Sequence, residues 1–446
     1  HSKGSADVLL PLCTAHETRA GRLPLDPASR RAILEEVDRM SGEALRVLAL
    51  ARRDLGPAEA GAPSHVEIEN RLTFLGLVGM MDPPREGARE AVALCADAHV
   101  RAVMITGDHK LTAVAIARQL GIWEEGAVAL TGGDLEKLSD RELDACIEKV
   151  RVFARVTAAQ KLRIVSAFKR GGHIVAMTGD GVNDAPALRE AHIGVAMGRD
   201  GTDVAREAAD MVIADDNFAT IVEAVREGRA IWRNIQKFIF FLLSSNAGLL
   251  VAVFVASFLT GLKPLTPLMI LWINLVTNGL PALALGVDPP DPTQMREPPR
   301  KRAASLLGRR DWLGIAFVGV WMGGAAMVCY LVRWRADDPQ ALERARAIAF
   351  SLLALSPLFH AFNCRSATAS FLALRPVLPL ALVGAVAISA AIHFVAVLVP
   401  ALQPVFRTFS MDGREWWLLL VMSASIVPAV DVAKLVQRRL MRSRPT

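Results

Sequence analysis

The sequence predicts an α/β doubly wound parallel sheet followed by an all-α bundle of six transmembrane helices. Three observations carry that reading. Between Leu72 and Lys237, short apolar runs alternate with helix-like stretches at the spacing of βα units. Residues 238–436 hold long charge-free runs separated by short charged loops. Finally, Met177-Thr178-Gly179-Asp180-Gly181-Val182-Asn183-Asp184 places two carboxylates and two glycines just after an apolar run, at the strand edge where open α/β sheets bind ligands.

The chain of 446 residues has room for two or three domains. Its hydrophobic content of 52% is high for a soluble protein, and mean hydropathy is +0.32. The excess lies in the second half, so a soluble half precedes a membrane half. The formal charge of +6 does not point to nucleic acid. Much of it flanks apolar runs, at Arg296, Arg300, Lys301, Arg302, Arg309 and Arg310 and in the tail from Lys434 to Arg444, as expected of cytoplasmic loops. Five cysteines, Cys13, Cys95, Cys146, Cys329 and Cys364, lack metal-ligand spacing and read as buried free thiols. The chain opens on His1-Ser2-Lys3-Gly4 with no signal peptide, which reads as a cut into something longer.

Residues 1–70 read as the tail of one domain, 71–235 as the α/β domain and 236–446 as the membrane domain. In the first, apolar residues Ile33, Val37 and Met40 mark a helix that breaks at Ser41-Gly42, and Ala44–Ala51 resumes as a strand. Gly56–Pro63 is a loop by composition. In the second, strands are expected at Phe74–Met80, Arg101–Ile105, Val152–Val156, His173–Met177, Ile193–Ala196 and Met211–Ala214. Helices are expected at Glu86–Ala98, Leu111–Leu120, Ala159–Arg170, Asp203–Ala208 and Ile221–Lys237, with Asp82-Pro83-Pro84-Arg85 as a stop.

The first membrane run, Phe238–Leu262, could form about 37 Å of helix at 1.5 Å per residue. Five further spans fall near 265–287, 312–332, 347–364, 376–399 and 416–436, the fourth and last being weakest. The helix from Ile221 is expected to run directly into the first span. With six spans and a cytoplasmic soluble half, the basic 288–311 loop and the C-terminus fall on the cytoplasmic side of a multi-pass protein of the plasma or inner membrane.

Several groups gather at predicted strand ends. Thr106 and Asp108 follow one strand, Asp180 and Asp184 another, and Asp82 ends the first, while Lys161 opens a helix. A hydroxyl, backbone amides and an ammonium suit a phosphoryl group. Paired aspartates suit Mg²⁺. An ordinary Gly-Asp turn would not require Asn183 and Asp184 as well.

Thr106-Gly107-Asp108, Lys161 and Thr178–Pro186 resemble the phosphorylation domain of P-type cation-transporting ATPases, members of the haloacid dehalogenase-like superfamily. Asp82-Pro83-Pro84-Arg85 resembles the family's interdomain hinge, and Lys3-Gly4 its lysine-glycine nucleotide motif. The calcium-pump-like subfamily is the nearest in pattern. The resemblance implies that Asp180 ligates Mg²⁺ with Asp184, and that Asn183 and Asp184 fix the loop. Thr106, Gly107 and Asp108 would serve the phosphoryl group and Lys161 would neutralise it. Lys3, Arg46 and Arg155 would meet ATP. The family's Asp-Lys-Thr-Gly-Thr nucleophile motif does not occur in this sequence. The expectation is therefore the C-terminal half of a pump, inactive without its N-terminal half.

Asn246 in the first span, and Asn274, Thr277 and Asn278 in the second, are polar residues inside apolar runs, the usual mark of an ion path. On a regular helix, the last three would share one face. Compared with calcium pumps of the sarcoplasmic-reticulum kind, Leu249, Asn278 and Pro357 stand where acidic residues are expected. Ca²⁺ favours six to eight oxygens, so the resemblance favours one ion per cycle. Interhelical hydrogen bonding without an ion would also explain these residues. His360 and His393 read as satisfied packing residues, and Lys237 as snorkelling to the interface.

Two readings of function follow. One is an ATP-driven cation pump, for Ca²⁺ or a related divalent ion, using ATP and Mg²⁺ in a lipid bilayer. The other is a truncated, non-catalytic membrane protein that retains a Mg²⁺- and phosphate-binding domain. A phosphatase joined to a membrane anchor would need its own nucleophilic aspartate before Thr106, and no Asp-x-Asp stands there.

Overall fold

In a computed structural model, the described residues are 1–55, 68–80, 84–261, 263–300, 305–333, 339–374 and 376–442. The expected loop Gly56–Pro63, together with Asp82, Pro83, Lys301 and Arg302, lies outside them. The chain divides into two compact units, His1–Val225 with Met295–Arg302, and Arg226–Gln294 with Ala303–Thr446.

The first unit opens with a five-stranded sheet of β1 (Ser2–Gly4), β2 (Cys13–Thr18), β3 (Gly21–Pro24), β4 (Arg46–Arg52) and β5 (Leu72–Met80), in the order β1-β4-β5-β2-β3. The helix Pro27–Gly42 covers it. Asp26 caps that helix by accepting from Ser29 N–H at 2.7 Å, and Pro27 occupies the first turn, where no N–H is needed. Its Val37 joins Leu10, Ala49, Ala51, Leu72 and Phe74 in one core. The strand at Phe74–Met80 exists, but it corrects the expectation that it opens the parallel sheet. β5 runs antiparallel to β4, with Arg46 opposite Met80 and Ala49 opposite Leu77. An apolar strand does not announce its partners: β5 also pairs parallel with β2, Cys13 opposite Leu72, and Leu72 and Phe74 are buried with residues of both neighbours, Cys13, Ala49 and Ala51.

After the helix Ala88–Asp97 the rhythm becomes parallel. Strands β6 (Met104–Thr106), β7 (Val128–Thr131) and β8 (Val150–Ala154) form one sheet in the order β6-β8-β7. Strands β9 (Ala176–Gly179), β10 (Ile193–Met197) and β11 (Met211–Ile213) form another in the order β11-β10-β9. All four pairings within these sheets are parallel. The single doubly wound sheet is thus represented by two three-stranded parallel sheets among the described residues. Helices Lys110–Gln119, Ala158–Arg170, Ala185–Glu190 and Asp203–Ala208 connect the strands. Ile105 and Val175 pack against both the core around Phe153 and Ile164 and the core around Met177 and Ala196. The two sheets therefore share an apolar zone beside β6 and β9.

Strand limits differ from the sequence reading by a few residues in either direction. Residues 173–175 precede β9 rather than form it, and Thr106 ends β6 rather than following it. β8 stops at Ala154 because Arg155 takes a left-handed φ of 51°. The stretch between Gly121 and Val152, to which the sequence reading assigns nothing, holds β7 and two short helices whose capping boxes start at Thr131 and Ser139.

Among the described residues, six helices are long and apolar enough to cross a membrane: Phe218–Thr260, Pro267–Gly286, Arg309–Arg333, Gln340–Asn363, Leu380–Leu398 and Gly413–Arg439. Phe218–Thr260 is continuous, as expected for a helix running directly into the first span. The last span bends at Ser425, between Gly413–Ala424 and Ile426–Arg442. The fourth span is the least apolar of the six and the most enclosed by protein. A helix that touches little lipid needs less hydropathy, which is why it reads weakly as a span.

Within this second unit, Asp288 ends the second span region, with Lys237 Nζ at 2.6 Å from one oxygen and Arg365 Nε at 2.9 Å from the other. Asn234 donates to the main-chain oxygens of Gly286 and Asp288, and Arg365 donates to those of Pro376 and Val377. Lys237 is therefore an ion-pair partner rather than a snorkelling lysine.

Candidate functional site

The loop after β9 is built by close approach. A Cβ on Gly179 would sit 2.5 Å from Asp184 Cβ, so only glycine lets the chain fold back there. The return brings Asp184 under the loop, buried, with one carboxylate oxygen accepting from Gly181 N–H at 3.2 Å and the other from Lys161 Nζ at 2.5 Å. Lys161 stands in the first turn of Ala158–Arg170, which Thr157 and Gln160 close as a capping box. Asp180 is exposed, and among the described residues its carboxylate carries no hydrogen bond or ion pair. Its main-chain oxygen accepts from Thr202 N–H at 2.8 Å. Asn183 is exposed beside it. Of the two aspartates, Asp184 is committed to holding the loop and Asp180 is open to a ligand.

Thr106-Gly107-Asp108 closes β6 in a similar way. Thr106 Oγ1 donates to Asp108 at 2.9 Å and accepts from Asp108 N–H at 3.1 Å, and the helix Lys110–Gln119 starts directly behind. β6 and β9 each lie at the end of their sheet, and each ends in Thr-Gly-Asp. Among the described residues both therefore point an unpaired edge of N–H and C=O groups away from their one neighbour, beside the apolar zone that Ile105 and Val175 share.

The proposed nucleotide residues lie apart from that loop. Lys3 sits opposite Leu50 across β1 and β4, and Arg46 is four residues along β4 from Leu50, so both side chains occupy one sheet face about 13 Å apart. Both are exposed. Arg155 belongs to the turn after β8 and reaches back to β1's end, with its guanidinium 3.3 Å from Ser5 Oγ and 2.9 Å from Asp7.

In the membrane unit, the second span is not a regular helix. Residues Ile273–Thr277 form a π-turn between the α-helical segments Pro267–Trp272 and Gly279–Gly286, with Asn278 N–H bonded to Ile273 O at 2.9 Å. This corrects the expectation that Asn274, Thr277 and Asn278 share a face by α-helical spacing, because a π-turn advances less per residue than the α-helix. Thr277 turns its hydroxyl onto Ile273 O at 2.8 Å. Asn274 Oδ1 and both polar atoms of the Asn278 side chain are buried without a hydrogen-bond partner among the described residues. Leu249 packs in the apolar core with Phe350 and Tyr330. Asn246 is half-buried in the first span.

The two membrane histidines separate. His360 places Nε2 3.2 Å from Ser244 Oγ and behaves as a packing residue with a partner. His393 packs edge-on against Phe350 with both ring nitrogens unpartnered, so it is not the satisfied histidine expected. Four of the five cysteines are buried, and Cys146 is half-buried.

Sequence reasoning missed Asp216. It takes φ 55° just before the helix Phe218–Thr260 and is 3% exposed. Its carboxylate accepts from the N–H groups of Gly198 at 2.6 Å, Arg199 at 3.1 Å and Asp200 at 2.7 Å. Burial alone would raise its pKa, but those amides hold it below the usual carboxylate range. Arg85, in the expected hinge motif, donates to Asp216 O at 2.8 Å and pairs with Asp200 at 2.8 Å. The sequence signal was the Asp215-Asp216-Asn217 run at a helix start.

Comparison with known proteins gives two matching family descriptions. Residues 1–87 match "P-type ATPase, cytoplasmic domain N", and residues 262–436 match "Cation transporting ATPase, C-terminus". The chain is 43% identical over 431 residues to a calcium-transporting ATPase of Bacillus subtilis, covering 95% of this chain and 47% of that protein. It is 42% identical to calcium-transporting ATPase 1 of Bacillus cereus, covering 98% and 50%. It is 37% identical to an endoplasmic reticulum calcium ATPase of Aspergillus fumigatus, covering 94% and 47%. The chain spans about half the length of the curated relatives it matches.

Proposed function

Because the chain belongs to the P-type cation-transporting ATPases, we propose that it is the C-terminal part of a pump that moves Ca²⁺ or a related divalent cation through an aspartyl-phosphate intermediate. The first sheet is then the remnant of a nucleotide-binding domain. The two parallel sheets form a haloacid dehalogenase-like phosphorylation domain, and the six helices sit in a plasma or inner membrane with the soluble part and C-terminus cytoplasmic.

The observation that carries the reading is the pair of free edges at β6 and β9, both ending in Thr-Gly-Asp over one apolar zone. One strand from sequence outside these residues would join both ladders and bring a nucleophilic aspartate level with Thr106 and Asp180. Asp-Lys-Thr-Gly-Thr is absent from this chain, so the nucleophile is supplied from elsewhere in the protein.

Mg²⁺ fits the residues present. Asp180 offers an exposed carboxylate free of protein partners among the described residues, on a loop whose shape Asp184 and Lys161 set. The ion supplies charge neutralisation at the transferred phosphoryl group. Lys161 lies close enough to that loop to add its own positive charge, and Asn183 flanks the ligand. Gly107 N–H is a donor for phosphoryl oxygens, and Thr106 would add its single hydroxyl proton by turning it from Asp108 to the phosphoryl group. Lys3, Arg46 and Arg155 line the approach of ATP. In the bundle, the Asn274 Oδ1 and the Asn278 side-chain amide are buried at a π-turn without partners among the described residues, a combination suited to a cation, with Asn246 and Thr277 completing the path.

The full-length protein should form an acid-stable phosphoenzyme from labelled ATP in the presence of Mg²⁺, and Asp180→Asn should abolish or sharply reduce turnover. Unchanged turnover in that variant rejects the metal role. ATPase activity scanned against Ca²⁺, Mn²⁺, Mg²⁺, Na⁺, K⁺ and pH identifies the ion, and no response to Ca²⁺ at any concentration rejects the calcium assignment. The absent nucleophile motif also supports a second reading, a non-catalytic membrane protein with a Mg²⁺- and phosphate-binding domain. Failure to form any phosphoenzyme with the metal site intact would favour it.

A further inference from the structure

We propose that Asp216 is a positioning residue for the metal-binding loop, acting through the 198–202 turn on the main chain of Asp180. The inference rests on the reading of Asp180 as a Mg²⁺ ligand and deepens it.

The turn between β10 and the helix Asp203–Ala208 is held on both sides of its backbone. On the donor side, three consecutive N–H groups, those of Gly198, Arg199 and Asp200, converge on the Asp216 carboxylate. On the acceptor side, Arg206 donates one guanidinium nitrogen to Gly198 O at 2.9 Å and to Gly201 O at 2.7 Å. The turn has little room to reshape. A Cβ on Gly198 would meet Ile213 O at 2.7 Å, and one on Gly201 would meet Met197 O at 1.9 Å. Arg85 closes the arrangement by pairing with Asp200 and donating to Asp216 O. The turn then ends on Thr202, whose N–H reaches the Asp180 carbonyl at 2.8 Å.

That last hydrogen bond gives the arrangement a chemical purpose. β9 hydrogen-bonds to β10 only as far as Gly179 opposite Ala196. Beyond it, Asp180 leaves the ladder, and Thr202 N–H is the contact that fixes its peptide. The carboxylate of Asp180 has no side-chain partner of its own among the described residues. The direction in which it faces therefore follows from where its backbone is held. A buried carboxylate bonded to three amides is a rigid anchor, since burial without those bonds would be costly. Residues one layer behind a metal ligand commonly change affinity by about 10–100-fold when altered.

The test is Mn²⁺ binding to the detergent-solubilised 446-residue chain, followed by the loss of the free-ion paramagnetic resonance signal and competed with Mg²⁺. Asp180→Asn identifies the site. Asp216→Asn keeps the volume but turns an acceptor of three N–H groups into a partial donor. Thr202→Pro keeps the native φ of −71° and removes the N–H together with the helix-capping hydroxyl, while Thr202→Ala removes the hydroxyl alone and so isolates the contribution of the N–H. The expected result is binding lost in Asp180→Asn, weakened about tenfold in Asp216→Asn and Thr202→Pro, and unchanged in Thr202→Ala. Loss in Asp180→Asn with wild-type affinity in Asp216→Asn and Thr202→Pro overturns the positioning role and leaves the Mg²⁺ site standing. Equal binding by wild type and Asp180→Asn rejects the Mg²⁺ site and the positioning role with it. Should Asp216→Asn not fold, the contrast between Thr202→Pro and Thr202→Ala decides.

Discussion

Lys161 and Asp184 meet at 2.5 Å beneath the loop that presents Asp180, one from the first turn of a capped helix and the other from the loop's own return. The lysine side chain is 19% exposed and the aspartate 8%, so the pair is largely desolvated. The arrangement assigns the two aspartates of Gly179-Asp180-Gly181-Val182-Asn183-Asp184 different duties. Asp184 shapes the loop, and Asp180 faces outward.

Removing the ammonium should therefore damage the fold as well as the chemistry. Lys161→Met leaves a buried carboxylate with only one N–H partner and should destabilise the soluble unit by about 3 kcal/mol, the lower end for breaking a buried pair. Urea denaturation of the variant checks it. The double variant Lys161→Met with Asp184→Leu should lose less than the two single losses added together.

A second prediction concerns the membrane unit. Asp288 faces two cations, Lys237 and Arg365, the latter 5% exposed. Asp288→Ala strands both and should cost about 3–5 kcal/mol. It should appear as a lower melting temperature in detergent. Arg365→Lys should be milder towards Asp288 yet still harmful, because the guanidinium also holds Pro376 and Val377 carbonyls that one ammonium cannot reach together.

Acid should act through Asp216. Its folded pKa lies below the ordinary carboxylate value of about 4. The stabilisation is thus complete above the unfolded pKa and is lost as pH falls through the lower folded one. Urea midpoints of wild type and Asp216→Asn should differ most at neutral pH and converge under acid. A constant difference across that range would show that the charge of Asp216 is not what the turn depends on.

Asn278 should show stability and function pulling apart. Both polar atoms of its side chain are buried without protein partners, a costly arrangement unless a ligand uses them. Asn278→Leu, of the same branched shape, should raise the thermal midpoint of the chain in detergent while abolishing cation-stimulated ATPase activity of the full-length protein. A variant with normal cation stimulation would remove Asn278 from the path.

Much of this was legible because it is written in local pattern. The six spans follow from charge-free length, and the Ala158–Arg170 helix differs by one residue from its expected start because Thr157 and Gln160 mark it. Other features depend on partners far away in sequence. β5 looks like any buried strand until β4 pairs with it. The π-turn at Ile273–Thr277 uses the same residue types as an α-helix, so no periodicity reveals it. The Asp215-Asp216-Asn217 run marks a helix start, but the role of Asp216 does not follow from it, because its partners are main-chain amides 16–18 residues upstream and backbone groups leave no mark in composition. His393 could be recognised as buried from its apolar neighbours, but its lack of a partner is a property of three dimensions.

The exposed ladders of β6 and β9 carry a practical consequence for anyone producing these 446 residues by themselves. Short parallel edges that have no second neighbour among the described residues, beside an apolar zone, invite any extended segment that fits, including one from a neighbouring molecule. Such material should self-associate in proportion to concentration. Supplying in trans an extended peptide able to pair with both edges should disperse it, making solubility itself a report on whether those edges have been filled.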